Sequence, residues 1–77
     1  MKIQQTEIAI KDILKIALTL HQNGRYSQAS ELYKRILASN PDQFDALHLL
    51  GVIAAQNRNF SQSVFLITKA ISIKSNI

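Results

Sequence analysis

The chain has 77 residues, 47% of them hydrophobic and 18% charged, with a formal charge of +4, two glycines, one proline and no cysteine. A chain this short buries only about 60% of the surface its unfolded form exposes, which argues against a deep catalytic cleft. Its apolar content and few breakers argue against a disordered or all-β chain, and the lack of cysteine excludes disulfide and thiolate chemistry.

Residues 1 to 5 carry little helical pattern and are expected to fray. Thr6 is the predicted cap of a first helix over about 7 to 23, in which Ile10, Ile13, Leu14, Ala17 and Leu18 follow the i, i+3, i+4, i+7 spacing of one face. Gly24 takes positive φ without steric cost and stops that helix. Ser27 is the predicted cap of the second helix, about 27 to 39, with Ala29, Leu32, Tyr33, Ile36 and Leu37 turned inward. Pro41 ends it by disfavouring helical backbone at Asn40, and Asp42 is the expected cap of the third.

The third helix, about 43 to 57, places Phe44, Leu47, Gly51 and Ala54 on one face, with Leu50, Ile53 and Ala55 beside them. A glycine in mid-helix costs roughly 1 kcal/mol against alanine, so Gly51 implies close approach of a partner helix. Ala17 precedes it by 34 residues, and Ala29 and Ser63 are the small partners expected on the second helix of each pair. The fourth helix, about 61 to 74, is expected to start at Ser61 and to turn Val64, Ile67, Ala70 and Ile71 inward. Phe65, Leu66 and Ile73 widen its apolar surface beyond a single stripe, so it expects neighbours on more than one side.

Two stretches repeat across these elements: Gln22 to Ala29 and Gln56 to Ser63 share Gln, Asn, Ser and Gln, an aromatic (Tyr26, Phe60) and a small residue (Ala29, Ser63). A period of 34 is that of a helix-turn-helix unit that stacks side by side. The chain is therefore expected to be all-α, one domain over 1 to 77 of two such units, about 10 to 43 and 44 to 77.

These residues resemble the tetratricopeptide repeat (TPR) family. The carriers are Ala17, Gly24, Tyr26, Ala29, Tyr33, Ile36 and Pro41, then Leu47, Gly51, Phe60, Ser63, Ile67 and Ala70. Departures are Ile36 and Ser63 for alanine, Arg58 for the turn glycine and Ser75 for the closing proline. The runs at 22 to 38 and 45 to 54 are further similar to N-terminal repeats of bacterial glycosyltransferases akin to the O-N-acetylglucosamine transferases. That likeness describes repeats and not a transferase, so any such catalysis would belong to a longer parent protein. The asparagine ladder of that enzyme class is replaced at its places by Lys15 and Leu49.

The resemblance implies a protein or peptide partner held on the inner face of the first helices: Lys11, Leu14, Leu18, His21 and Gln22, then Asp45, His48, Val52, Ala55 and Gln56. A carboxylate clamp of the chaperone-binding kind is not supported, because its places carry Leu14, Leu18 and Leu49. The excess apolar surface of the last helix, at Phe65, Leu66, Ile67, Ile71 and Ile73, predicts self-association there, or cover by further repeats of a longer chain.

Other chemistry finds no support. The cations are scattered, with Lys34-Arg35 the only adjacent pair, so nucleic acid is not an expected partner. Lys11, Asp12 and Lys15 interrupt any signal-peptide core, and the uncharged run from Ala46 to Asn57 is about half a membrane span, so no membrane is expected either. With no disulfide, the cytoplasm is the expected compartment. His21 and His48 lack the further ligands of a zinc site, and Asp42 with Asp45 read as a helix start rather than an acid-base pair. No cofactor and no catalysis are expected of this chain itself.

Overall fold

The computed structural model describes the backbone of residues 2–75 and the side chains of residues 10–74. Four helices follow one another: α1 (Lys2–Gln22), α2 (Tyr26–Ser39), α3 (Phe44–Gln56) and α4 (Phe60–Ser75). α1 packs on α2, α2 on α3 and α3 on α4, while α1 and α3 touch along a short seam. α3 is thus the element in contact with all the others, and it is correspondingly the most buried.

The two corners inside the helix pairs are built alike. In the first, the Arg25 N–H donates to Leu20 O at 2.8 Å and the Gly24 N–H to His21 O at 3.0 Å. In the second, Asn59 donates to Ala54 O at 2.8 Å and Arg58 to Ala55 O at 3.0 Å. Both pairs of bonds close a Schellman motif, whose left-handed residue is Gly24 (φ 79°) in one corner and Arg58 (φ 64°) in the other. Arginine at such a position carries a steric cost that glycine avoids. Between the pairs, Pro41 sits in a turn and Asn40 is held off the helical region at φ −135°, ψ 77°.

The helix starts differ from those expected. Thr6 lies within α1, which runs from Lys2; the residues before it include no breaker, so the helix passes through. Ser27 lies inside α2, whose N-cap position is Arg25 with no side-chain cap bond. Asp42 is displaced by Gln43, whose Oε1 accepts from the Ala46 N–H at 2.8 Å, while Asp45 complements the dipole in the first turn. Ser61 lies inside α4, and Asn59 Oδ1 accepts from the Gln62 N–H at 3.4 Å. The Schellman corners explain two of these shifts, since they deliver the chain to the next helix one residue before the serine.

The core joins Ala17 of α1, Ala29, Tyr33 and Ile36 of α2, Ala46, Leu47, Leu50 and Ile53 of α3, and Leu66 and Ala70 of α4. Each large member contributes about 1.5–3 kcal/mol by leaving water. The inner stripe of α4 is Ser63, Leu66 and Ala70 rather than the expected Val64, Ile67, Ala70 and Ile71. Val64 and Ile71 are exposed and Ile67 is half-buried. With apolar residues on most sides of α4, periodicity alone did not choose a face; packing against α3 did.

Gly51 meets α4 as closely as its lack of a side chain implied, and the atoms nearest its open side belong to Ile67 and Leu66. A Cβ there would stand 2.6 Å from Ile67 Cγ1 and 3.3 Å from Leu66 Cβ. A branched side chain, Ile67, therefore fills the slot that the missing Cβ leaves open.

Candidate functional site

Where α1 and α3 run side by side, the two helix pairs present a shared face. Its one direct polar bridge among the described residues links the ends of these helices: His21 Nε2 lies 3.0 Å from Gln56 Oε1. The other ring nitrogen of His21, Nδ1, is buried without a hydrogen-bond partner among the described residues. The Tyr26 ring meets the imidazole edge-on, with centroids 5.5 Å apart. The corner aromatic therefore wedges the histidine, and the histidine ties one helix pair to the next.

Toward the opposite end of the seam, Leu14, Lys15, Leu18, Asp45 and Leu49 line an apolar depression of about 260 Å³. Leu14, Leu18 and Asp45 were expected on this face, and the fold does bring them together. Lys15 and Leu49 join them, although the resemblance had assigned Lys15 only to the missing asparagine ladder and Leu49 to that ladder and to the absent carboxylate clamp. The signal that could have placed them was their position one helical turn from Leu18 and Asp45. With three leucines for a floor and one residue of each charge at the rim, the site suits an apolar side chain flanked by polar backbone or mixed charge.

The remaining expected residues are more dispersed. Lys11 and Gln22 are exposed, and Val52 and Ala55 are half-buried. His48 is exposed but stacks on Phe44, with ring centroids 5.8 Å apart and planes 6° from parallel, and Lys74 Nζ sits 4.7 Å from the Phe44 centroid. His48 and His21 thus belong to separate clusters, and no three metal-ligating side chains converge among the described residues. Behind the seam, burial raises the pKa of the Tyr33 phenol and the Asp45 carboxylate adds to the effect. The Tyr33 hydroxyl is buried without a hydrogen-bond partner among the described residues.

Two further surfaces stand out. A polar-rimmed groove of about 350 Å³ runs over another side of α3, between Ser30 and Lys34 of α2 and, across from them, Asn59 of the second corner and Gln62 of α4, with Leu50, Ile53 and Ala54 as its floor. Sequence reasoning missed it, because its rim comes from helices that do not touch each other. The second surface is the outer side of α4. Of the residues expected to self-associate, Phe65 and Ile71 are exposed, Ile67 and Ile73 are half-buried, and Leu66 is turned into the core at 5% exposure. Phe60 and Val64 take its place in the exposed set.

Paired antiparallel helices stacked through a shared central helix, with an open face along the first helix of each pair, define a helical-repeat protein. The tetratricopeptide repeat model matches residues 20–74, and the chain belongs to that family. Repeats of this family generally mediate protein–protein interactions and are typically non-catalytic. No solved structure matches the chain significantly. No helix among the described residues is long and apolar enough to cross a membrane.

Proposed function

We propose that this chain is a binding module that takes an extended or helical peptide segment of a protein partner on the face shared by α1 and α3, and that it also self-associates through α4. The observation that carries the first part is the depression between the two helices, floored by Leu14, Leu18 and Leu49 and rimmed by Lys15 and Asp45. The His21–Gln56 bridge links the two helices of that face, which supports a site formed before binding. The exposed set Phe60, Val64, Phe65 and Ile71 supports the second part, since an apolar patch of this kind seldom stays uncovered. The likeness to glycosyltransferase repeats rests on two runs of sequence and adds no residue to the site. A cysteine-free chain suits a reducing compartment, which supports a cytoplasmic place of action.

The test is differential capture from a lysate of the source cell. Leu18→Glu puts a charge on the apolar depression, whereas Lys34→Glu changes the charge of the groove on the other side of α3. Partners retained by wild type and by Lys34→Glu but lost by Leu18→Glu establish the proposed face. Equal capture by all three overturns it. For the second part, Phe65→Glu should dissociate the self-associated form; an unchanged mass would count against α4.

A further inference from the structure

The two ends of the molecule are unequal halves of one interface that the chain already contains, and this bears on how copies would pair. Inside the molecule, α2 packs on α3. Moving both helices back or forward by the 34-residue period turns this into a comparison of α4 with the side of α2 toward α3, and of α1 with the side of α3 toward α2. On α3, Ala46 and Leu50 are covered, at 0% and 7% exposure, while their counterparts on α1, Asp12 and Ile16, are open, Ile16 at 55%. On α2, Ser30 and Leu37 are half-buried, while their counterparts on α4, Val64 and Ile71, are 65% and 60% exposed. One end therefore bears an uncovered version of the α3 surface, the other an uncovered version of the α2 surface.

Both surfaces have shape as well as exposure. Ile16 borders an apolar depression of about 250 Å³ shared with Lys15, Thr19 and Leu20. Thr19 would bring no unsatisfied hydroxyl into an interface, because its Oγ1 already donates to Lys15 O at 3.0 Å. At the other end Val64, Phe65 and Thr68 line an open depression of about 720 Å³ with Lys69 and Asp42 at its margin.

Resting on the self-association proposed above, we infer that copies of this chain join head to tail, α4 of one copy packing against α1 of the next as α2 packs against α3 within each. The repeat period favours this over a two-fold pairing of α4 with α4, which would set two α2-type surfaces against each other and leave the α3-type surface on α1 uncovered. The α1 surface brings Asp12 together with Lys15, and the α4 surface brings Lys69 together with Asp42, so each end offers both signs to the other. An interface whose two halves differ does not close on itself at two subunits; it propagates as an open chain unless the rotation closes a ring.

Sedimentation velocity on the 77-residue chain over a wide concentration range tests this. The wild type should grow beyond a dimer as concentration rises. Ile16→Glu disables one end and Val64→Glu the other, both at exposed positions, so each should be a folded monomer alone, with helicity checked by circular dichroism. Mixed in equal amounts, the two variants should form a heterodimer and nothing larger, since each retains the end its partner lacks. If either variant unfolds, Thr19→Arg or Thr68→Arg replaces it at the same end. Ile16→Glu that still dimerises, or a mixture that stays monomeric, overturns head-to-tail joining while leaving α4 self-association standing. A wild type that is monomeric throughout overturns both, and points to some other cover for these ends.

Discussion

Gly51 of α3 and Ile67 of α4 occupy one slot: the space a Cβ on Gly51 would need is held by Ile67 Cγ1, 2.6 Å from its position. The contact sits at the most extensive helix pairing among the described residues. Two opposing effects meet there, the poor helix propensity of glycine and the closeness it permits.

Gly51→Ala is accordingly expected to destabilise. It gains roughly 1 kcal/mol of helix propensity but overpacks the slot, where forced shifts cost about 1–3 kcal/mol. Ile67 meets the new atom with Cγ1, next to its branch point, and so yields poorly. The net loss should be about 1 kcal/mol or more in urea denaturation. A double-mutant cycle with Ile67→Ala should show the two changes coupled. A rise in Tm for Gly51→Ala would sink this account.

The second corner should respond in the opposite sense. Arg58 stands in the left-handed region where Gly24 stands in the first corner, and left-handed backbone costs a side-chain-bearing residue about 1–2 kcal/mol. Part of that is returned to the more flexible unfolded chain when glycine is introduced. Arg58→Gly is expected to stabilise by about 0.5–1 kcal/mol. Gly24→Ala should destabilise by about 1 kcal/mol, and because no atom lies within 4 Å of its Cβ position, the cost would come from φ alone. Thermal melts of the two variants moving in the same direction would contradict the shared Schellman geometry.

Tyr33 should make the protein sensitive to alkali. Burial first, and Asp45 second, raise its phenol pKa above the ordinary value of 10.0. Below that value the phenol is protonated in both the folded and unfolded chain and contributes no pH dependence. Above it the unfolded chain loses the proton first, so stability falls as pH rises toward the folded-state pKa. Tyr33→Phe removes the titration and a buried hydroxyl without a partner among the described residues, whose desolvation costs roughly 1–3 kcal/mol. The variant should therefore be at least as stable as wild type at neutral pH, with a shallower decline above pH 10. Denaturation curves at several alkaline pH values would read both effects, and a marked loss of stability at neutral pH would reveal a partner for the hydroxyl.

The start of α3 separates two neighbouring residues. Gln43 Oε1 accepts from the Ala46 N–H, so Gln43→Ala is expected to cost about 0.5–1 kcal/mol. Asp42 is exposed and makes no cap bond, so Asp42→Ala should stay within about 0.5 kcal/mol of wild type. Urea midpoints that ranked the two in reverse would restore Asp42 as the cap.

The expected caps at Thr6, Ser27, Asp42 and Ser61 failed for a common reason. Cap preference describes which residue serves best once the chain enters a helix at that point, and the entry point is set by what precedes it. At Ser27 and Ser61 the preceding Schellman corner sets the entry; at Thr6 no breaker interrupts the helix; at Asp42 the turn carrying Pro41 shifts the start by one. The face shared by α1 and α3 was only partly legible for a similar reason. Leu14, Leu18 and Asp45 could be assigned to it by periodicity, and Lys15 and Leu49 lie one helical turn from Leu18 and Asp45, but that the five close one depression follows only from the contact of α1 with α3.

What the sequence alone determined was the architecture. The 34-residue period, the glycine at 24, the proline at 41 and the small residues at 17, 29 and 51 are local requirements of backbone conformation and close approach, and they specify two helix pairs without reference to anything distant. Only the tertiary structure decided which side of α4 is buried. Its residues are apolar almost all round, so burial of Leu66 and exposure of Val64 and Ile71 follow from the packing against α3, where Gly51 leaves room for Ile67. The same packing leaves Ile16 and Val64 uncovered at opposite ends, because each helix pair completes its neighbour's interface and the outermost surfaces have no neighbour within the described chain.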